Sequence, residues 1–203
     1  MRSLPKLHLI TDAVIQQNYN HQELVYQVPK HSNIAIQFRE KNLSDSKYAQ
    51  LKQIYTYCLN KDIPLIINDY DFICANFPEA GIHVGAEDTP LTEVCSRFPG
   101  RIIGATVHNE QELNLVQQFP ISYVGVGPVF TTNSKRISLP LLGLKGLEHI
   151  CKNTHLPVIA IGGITEDNAS SVLQSGAYGF AVIGAWCNSY KPAESIQKLL
   201  RVF

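Results

Sequence analysis

The sequence has no excess of charge of either sign. Its 17 Lys and Arg residues balance 17 Asp and Glu residues, so the formal net charge is zero. Proteins that bind nucleic acid through its phosphates need an excess of cations. The balance therefore argues against a nucleic-acid partner, although local basic clusters can still form.

Long hydrophobic runs are also absent. No apolar stretch approaches the roughly 20 residues that span a bilayer. The segment 1–12, MRSLPKLHLITD, has only a short apolar run and no small-residue cleavage site, so it does not resemble a signal peptide. We therefore expect a cytoplasmic protein with no membrane partner.

Cysteine is present, but without the spacing that a metal site or a disulfide framework requires. The five residues are Cys58, Cys74, Cys95, Cys151 and Cys187, an odd number with no CxxC pair. Disulfide frameworks use even numbers of Cys, and zinc sites use closely spaced pairs. The pattern instead predicts free, mostly buried thiols in a reducing compartment.

The chain has enough apolar residues to build one ordinary domain. Of its 203 residues, 45% are hydrophobic and 17% are charged. That balance is typical of a folded domain with a full core and not of a disordered chain. We therefore predict a single domain over residues 1–203.

Eight short apolar runs recur along the chain at fairly even spacing. Most are rich in Ile and Val and apolar nearly throughout, which is typical of parallel strands that are covered on both faces. The predicted strands are Leu7–Ile10, Ile34–Phe38, Leu65–Ile67, Gly81–Val84, Ile102–Thr106, Tyr123–Val126, Val158–Ile161 and Gly179–Ile183.

Amphipathic segments with helix signals lie between these runs. Ser44–Leu59 begins with a capping Ser, and Asn109–Phe119 begins with a capping Asn followed by acids. Thr165–Ser175 begins with a capping Thr and is followed by Gly176, and Pro192–Phe203 forms a terminal helix. Repeated strand–helix units without a G-x-G-x-x-G turn predict a (β/α)8 TIM barrel, with a doubly wound open sheet as the alternative.

The functional residues of such barrels lie at the C-terminal ends of the strands. The second predicted strand ends in three long polar side chains at alternate positions, Gln37, Arg39 and Lys41. Alternate residues of a strand point to the same side, so all three should project together. An amide beside two cations fits a ligand with a polar ring and a polyanion.

Other strand ends predict phosphate and metal binding. The sequences IGGIT at 161–165 and VIGAW at 182–186 place glycine before a helix, where free N–H groups favour phosphate. Asp69 and Asp88 follow adjacent strands, and two carboxylates with substrate phosphates form a common Mg²⁺ site. By themselves, Asp69 could equally cap a helix and Asp88 could equally cap a helix or form a turn. The nearby cations favour a diphosphate that brings Mg²⁺.

Further polar residues at the strand ends have two interpretations each. The loop 127–136, GPVFTTNSKR, has three hydroxyls and two cations, which suits oxyanion recognition better than a solvated loop. His108 is either an acid–base group or a cap for the following helix. His83 is expected to pack at the barrel end without a catalytic role.

These motifs resemble the thiamine phosphate synthase family and its close relatives, the TenI-like thiazole tautomerases. The matching segments are LHLITD at 7–12, QFREK at 37–41, IIND at 66–69, GIHVGAED at 81–88, IIGATVH at 102–108, YVGVGPVFTTNSK at 123–135, LGLKGL at 142–147 and PVIAIGGIT at 157–165. The resemblance implies a TIM-barrel transferase of thiamin biosynthesis. It would join 4-amino-5-hydroxymethyl-2-methylpyrimidine diphosphate to thiazole phosphate or carboxythiazole phosphate, giving thiamine phosphate and pyrophosphate.

The resemblance also implies a role for each matching residue. The pyrimidine diphosphate would contact Gln37, Arg39, Lys41, Asn68, Thr106 and Lys135. The thiazole phosphate would contact Thr132, Ser134, Gly163, Ile183 and Gly184. Mg²⁺ would be the cofactor, held by Asp69 and Asp88. The catalytic set would be Arg39, Lys41, Lys135 and His108.

The resemblance leaves two alternatives to the synthase. A thiazole tautomerase would use His108 as its proton shuttle and would need neither diphosphate nor Mg²⁺, and a non-catalytic protein would bind thiazole phosphate without turnover. The retained Gln, Lys and Asn-Asp elements favour the synthase, because such groups are costly to desolvate without a ligand. Tyr70, Ala86 and Gly184 stand where the family usually has Arg, Gln and Ser. The expected partners are small molecules, and a homo-oligomer is compatible with the sequence.

Overall fold

The computed structural model of the chain is a closed barrel of parallel strands. It describes residues 4–85, 88–132 and 140–203. The strands are β1 (Leu7–Asp12), β2 (Ile34–Arg39), β3 (Leu65–Asn68), β4 (Gly81–Val84), β5 (Ile103–Val107), β6 (Tyr123–Val126), β7 (Val158–Ile161) and β8 (Gly179–Val182). Each strand pairs in parallel with the next in chain order, and β8 pairs with β1. The (β/α)8 prediction is confirmed, and the open sheet was the wrong alternative.

Helices connect the strands and cover the outside of the barrel. They are α1 (His21–Val25), α2 (Asp45–Lys61), α3 (Leu91–Arg97), α4 (Glu110–Val116), α5 (Gly143–Lys152), α6 (Ala169–Gln174), α7 (Gly184–Cys187) and α8 (Pro192–Leu200), with a 3₁₀ helix at Asp71–Asn76 after β3. None of the helices in the described part of the chain is both long and apolar enough to cross a membrane.

Two of the predicted helix starts are confirmed by their caps. The Ser44 hydroxyl accepts a hydrogen bond from the Lys47 N–H at the start of α2. The Asn109 side chain accepts one from the Glu112 N–H at the start of α4. In both places a side-chain oxygen takes one of the amides that the first helical turn leaves without a backbone acceptor.

The predicted helix start at Thr165 is wrong. Helix α6 begins only at Ala169. The Asn168 side chain accepts from the Thr165 N–H at 2.9 Å and donates to the Gly163 carbonyl at 3.0 Å. These two bonds close residues 163–168 into a turn, so the polar residues of this segment form a loop and not the first turn of a helix.

Strand side chains alternate between two cores. Those pointing inward fill the barrel with Ile10, Ala35, Ile66, Tyr123, Ile159 and Ala181. Those pointing outward, such as Leu9, Ile36 and Ile67, are fully buried under the helices. Burial on both faces explains why the strand sequences are apolar nearly throughout.

The five thiols are free and differ in burial. Cys58, Cys74 and Cys187 are buried, whereas Cys95 and Cys151 are partly exposed. Burial raises the pKa of Cys58 and of Cys74 to about 12. These two thiols are therefore protonated at neutral pH and behave as small apolar side chains.

Candidate active site

The C-terminal ends of the strands surround a cavity of about 720 Å³. This volume is within the ordinary range for small-molecule sites. Twelve of the residues predicted from the sequence line it: Gln37, Arg39, Lys41, Asn68, Asp69, Asp88, Thr106, His108, Thr132, Gly163, Ile183 and Gly184. The remaining two, Ser134 and Lys135, lie outside the described residues.

The end of β2 presents its three polar side chains to this cavity, as their alternation predicts. Gln37 is buried in the wall, at 3% exposure. The Arg39 guanidinium donates from Nη1 to Asp12 Oδ2, and the Lys41 ammonium donates to Asp69 Oδ2 at 2.5 Å. The Lys41 side chain is half-exposed, so the row runs from the wall of the cavity to its rim.

Asp69 occupies an unusual backbone conformation at the end of β3. Its φ is +69°, in the left-handed region that a residue with a Cβ adopts only at a cost. It does not cap the following 3₁₀ helix, because that position belongs to Tyr70 and has no side-chain cap. The helix-cap alternative for Asp69 is therefore wrong, and its carboxylate faces Lys41 and the cavity.

Asp88 comes after β4, the strand next to the one that precedes Asp69, and both residues line the cavity. Its Oδ2 accepts from the Gly85 N–H at 2.6 Å, so the turn alternative describes one of its contacts. It does not cap α3, whose N-cap position is Pro90. Burial raises the pKa of Asp88, and so do the hydrogen bond and the charge of Asp69.

The two carboxyl groups are close enough to influence each other's pKa. Burial alone would raise the pKa of Asp69, but its hydrogen bonds with Lys41 and Asp88 lower it. The pKa values of the two carboxyls therefore shift in opposite directions, because Lys41 bonds directly to Asp69, whereas Asp88 is affected by burial and by the charge of Asp69. An all-oxygen pair of this kind fits a hard divalent cation such as Mg²⁺.

The protein supplies only part of a metal coordination sphere. Within residues 4–85, 88–132 and 140–203, no three His, Cys, Asp or Glu side chains are arranged to hold a metal ion. Magnesium usually keeps several waters and uses one or two carboxylates with substrate phosphates. The carboxylate pair is therefore suited to a metal that arrives with a polyphosphate ligand.

Glycines at the end of β7 allow the neighbouring loop to approach closely. Gly163 has a φ of +63°, and a Cβ there would lie 2.4 Å from the Thr131 carbonyl oxygen. The Phe130 N–H donates to the Gly162 carbonyl at 3.0 Å, which joins this loop to the one after β6. Since α6 begins later than the sequence predicted, these glycines shape the cavity wall and do not start a helix there.

The end of β8 offers backbone amides to the cavity. Helix α7 begins at Gly184 immediately after the strand, and Ile183 precedes it as the N-cap. The first amides of a helix have no acceptor within that helix. Gly163 follows β7, and Ile183 and Gly184 follow β8, on the opposite side of the closed barrel from β3 and β4, after which Asp69 and Asp88 come.

A chain of neutral hydrogen-bonding groups lies beneath the cavity. His83 bonds to the Tyr123 hydroxyl through Nδ1 and to the Thr106 hydroxyl through Nε2, both at 2.9 Å. Burial lowers the pKa of His83 to about 4, so the ring is neutral at pH 7. One ring nitrogen donates and the other accepts, so the ring and the two hydroxyls form a continuous neutral chain of hydrogen bonds. The expectation that His83 packs as a polar residue is confirmed.

His108 is held at the rim by an acid four residues later. Its Nδ1 lies 2.9 Å from Glu112 Oε2, and its backbone N–H donates to the same oxygen at 2.8 Å. Both side chains line the cavity. The N-cap of α4 is Asn109, so the alternative that His108 caps this helix is wrong, and its ring lies at the cavity.

Sequence reasoning missed three residues of this site. Asp12, which holds Arg39, has a visible signal, since it is the last residue of β1 at the same barrel end. Glu112 also has one, at helical spacing from His108. Tyr123 has no such signal in the sequence. Its hydroxyl reaches His83 because Gly104 has no side chain, since a Cβ at Gly104 would lie 2.1 Å from the Tyr123 ring.

Buried histidines should make folding stability fall in mild acid. Burial, with the nearby His83, lowers the pKa of His8 to about 3, and burial lowers that of His83 to about 4. An unfolded chain binds these protons near pH 6.5, so the stabilisation is complete above that pH and is lost as pH falls below it. Each His should contribute a slope of up to about 1.4 kcal/mol per pH unit. Urea unfolding at several pH values between about 7.5 and 5 measures it.

Two variants separate this effect from general acid sensitivity. His8→Phe should lower the slope of unfolding free energy against pH by up to about 1.4 kcal/mol per pH unit, the contribution of one proton. His155→Asn, at an exposed position, should leave the slope unchanged. An unchanged slope in His8→Phe would contradict the assignment.

The barrel and the site together define a class of protein. One side of the cavity has two cations and a carboxylate pair, and the other has glycines and helix-start amides. A TIM barrel with glycines and helix-start amides at its final two strand ends is typical of enzymes acting on phosphorylated small molecules.

Comparison with known proteins identifies the family within this class. Residues 7–186 match the family model described as thiamine monophosphate synthase, and the chain belongs to that family. The thiamine-phosphate synthase of Salinibacter ruber is 35% identical over 196 residues, which cover 96% of this chain and 86% of that protein. The corresponding protein of Staphylococcus carnosus is 36% identical over 172 residues, covering 82% and 81%. The resemblance inferred from the motifs is confirmed.

A solved structure agrees with these sequence matches. The thiamine phosphate pyrophosphorylase of Pyrococcus furiosus superposes with a TM-score of 0.87 at 29% identity. The superposition covers 99% of this chain and 96% of that one. The likeness thus extends over the whole barrel, including every strand end that contributes to the cavity.

Proposed function

We propose that the chain is a thiamine-phosphate synthase. It would transfer the pyrimidine-methyl group from its diphosphate to the nitrogen of thiazole phosphate, releasing pyrophosphate. The observation that supports this most is the single cavity, which is lined by a cation–carboxylate side and a phosphate-cradle side. A two-substrate reaction needs both sides within reach of each other.

The diphosphate side stabilises the leaving group. The bond between the pyrimidine methylene and the diphosphate oxygen breaks first, and its electron pair stays on the diphosphate. Arg39 and Lys41 would bind this growing negative charge, with Lys135 assigned to the same task from the sequence alone. Preorganised charges of this kind are worth about 10²–10³ in rate each. Gln37 and Asn68 would hydrogen-bond the aminopyrimidine and the diphosphate.

Mg²⁺ would be the cofactor, held by Asp69 and Asp88. The ion, when bound, neutralises charge on the diphosphate and makes it a better leaving group. Lys41 contacts Asp69 and would hold this carboxylate towards the ligand. The Thr106 hydroxyl, held by His83, would hydrogen-bond the same ligand.

The thiazole side brings the nucleophile to the reacting carbon. The amides at Gly163, Ile183 and Gly184, with the Thr132 hydroxyl and the sequence-assigned Ser134, would hold the thiazole phosphate. With the phosphate fixed, the ring nitrogen can attack the pyrimidine-methyl cation without a search in solution. Such positioning alone lowers a barrier by several kcal/mol, up to about 7–11.

One observation favours a second candidate function. His108, held by Glu112, follows β5 and lines the cavity, where it could move a proton on the thiazole ring. This is the arrangement that a thiazole tautomerase would use. A tautomerase, however, would leave the carboxylate pair and the two β2 cations without a ligand.

Incubation with both substrates and Mg²⁺ distinguishes the two functions. We expect thiamine phosphate and pyrophosphate in equal amounts, with no product when either substrate is omitted. His108→Asn should lower this turnover by less than about tenfold, since no proton transfer by His108 is needed in the coupling step. Thiazole isomerisation without coupling, lost in His108→Asn, would instead establish the tautomerase.

The compartment and the partners of the enzyme are also part of this proposal. We infer a cytoplasmic enzyme, because free thiols suit a reducing compartment. Its partners would be the two small-molecule substrates and not nucleic acid or a membrane.

A further inference from the structure

We propose that Glu40 is a positioning residue for diphosphate binding. Its buried carboxylate, outside the barrel wall, would fix the strand end from which Arg39 and Lys41 reach into the cavity. The inference rests on the proposed function, because it assumes that these two cations bind a diphosphate. Glu40 is not among the residues that line the cavity and would act only through its neighbours.

Glu40 is at the centre of a buried charge cluster between β2 and two helices. Its side chain is 3% exposed, yet its Oε2 lies 3.0 Å from His21 Nε2 in α1 and 2.8 Å from Lys47 Nζ in α2. Its Oε1 accepts from the Asn42 N–H at 2.8 Å. One carboxylate thus joins the end of β2 to two helices and to its own following loop.

The backbone is held on both sides of Lys41, by Glu40 on one side and by Thr11 on the other. The Arg39 N–H donates to the Thr11 hydroxyl on β1 at 3.3 Å. The Asn42 N–H is held by Glu40, as described above. Residue 41 therefore lies between fixed points, and its side chain leaves the strand end in one direction, towards Asp69.

Stability alone does not account for this cluster. Burying a carboxylate is costly, and well-packed apolar residues in place of a buried ion cluster are often equally stable or more so. Burial would raise the pKa of Glu40, but its hydrogen bonds with Lys47, the Asn42 amide and His21 lower it. The residue therefore stays ionised, and its three partners set the geometry of the loop.

Only one of the partners is strongly charged. Burial lowers the pKa of His21, so its ring is neutral and donates from Nε2. Its Nδ1 has no hydrogen-bond partner within the described residues. Lys47 is partly exposed and supplies the balancing cation. A change at Glu40 should therefore disturb the loop geometry while Lys47 turns to solvent.

The test is Glu40→Gln, which keeps the shape and the acceptor for the Asn42 amide. We expect the KM for the pyrimidine diphosphate to rise about tenfold, while the KM for thiazole phosphate stays within about twofold. The Kd for Mg²⁺–pyrophosphate, measured by calorimetry, should rise by a similar factor. A purely structural role would lower the active fraction, and so the apparent kcat, without changing any of these constants.

Glu23→Gln is the matched control. It makes the same change on α1, at an exposed carboxylate that accepts one backbone amide from Asn20. It should leave all three constants unchanged. If Glu40→Gln does not fold, Lys47→Met removes the cation from the exposed side of the cluster and should raise the pyrophosphate Kd about threefold.

The outcomes separate this inference from the proposed function. If the native protein couples the substrates and Glu40→Gln has the native KM values and pyrophosphate Kd, only the role of Glu40 is overturned. An unchanged pyrophosphate Kd in Lys47→Met, used if Glu40→Gln does not fold, has the same meaning. If the native protein binds Mg²⁺–pyrophosphate but does not couple the substrates, the proposed function fails. The change in the pyrophosphate Kd in Glu40→Gln then still tests the role of Glu40. A native protein that neither couples the substrates nor binds Mg²⁺–pyrophosphate would overturn both.

Discussion

Replacing Asp69 with asparagine should lower kcat for coupling by about 10²–10³-fold at about 1 mM Mg²⁺. The change removes one of the two carboxylates proposed to hold the ion. Asparagine is chosen because it tolerates the left-handed backbone at this position better than alanine does. The Mg²⁺ concentration for half-maximal rate should also rise at least about tenfold, which titration of the initial rate measures.

Asp62→Asn is the control for this substitution. Asp62 also has a left-handed backbone, with a φ of 57°, but it ends α2 at an exposed position. It should retain full activity and an unchanged Mg²⁺ dependence. If Asp69→Asn keeps its turnover at low Mg²⁺, the metal assignment is wrong.

Replacing Lys41 with methionine should lower kcat by about a hundredfold and leave the Kd for thiazole phosphate within about twofold. The substitution keeps the apolar stem and removes the charge that would meet the leaving diphosphate. Lys41 is half-exposed, so the fold should tolerate it. Single-turnover rates and calorimetric binding of thiazole phosphate give the two quantities separately.

Lys52→Met provides the comparison for Lys41. Lys52 lies on the exposed face of α2, where its ammonium is 4.7 Å from the centre of the Tyr48 ring. Its loss should leave both quantities unchanged. An equal loss of turnover and of thiazole phosphate binding in Lys41→Met would contradict a role at the leaving group.

The strands could be predicted because their signal is local. Gly81–Val84, Tyr123–Val126 and Val158–Ile161 have the predicted bounds, and the other strands differ by one or two residues at one end or, for β5, by one residue at both ends. Both faces of these strands are buried, so composition alone marks them. The shared direction of Gln37 and Arg39 was predictable for a related reason, since side chains alternate along any strand, whereas Lys41 lies two residues beyond the end of β2.

The contacts that organise the site could not be predicted in the same way. Glu40 meets His21 and Lys47 only after two helices have packed on β2, and Asp12 meets Arg39 only across two paired strands. The late start of α6 depends on a side-chain bond that competes with the helix. None of these has a periodic signal in the sequence.

One of the departures from the family pattern has a structural role. The Tyr70 hydroxyl accepts from the Leu43 N–H at 3.3 Å, in the loop after β2. Tyr70 thus supports the same loop as Glu40. Gly184 loses a side-chain hydroxyl relative to the usual Ser but keeps its backbone amide at the start of α7.

The central claim is that one cavity holds a diphosphate on one side and a monophosphate on the other. A crystal structure with thiamine phosphate, pyrophosphate and Mg²⁺ tests it most directly. We expect Mg²⁺ to be bound by Asp69 and Asp88 and pyrophosphate by Arg39 and Lys41. The phosphate of thiamine phosphate should bind the amides at the start of α7. Pyrophosphate bound away from β2, or both anions on the same side of the cavity, would contradict it.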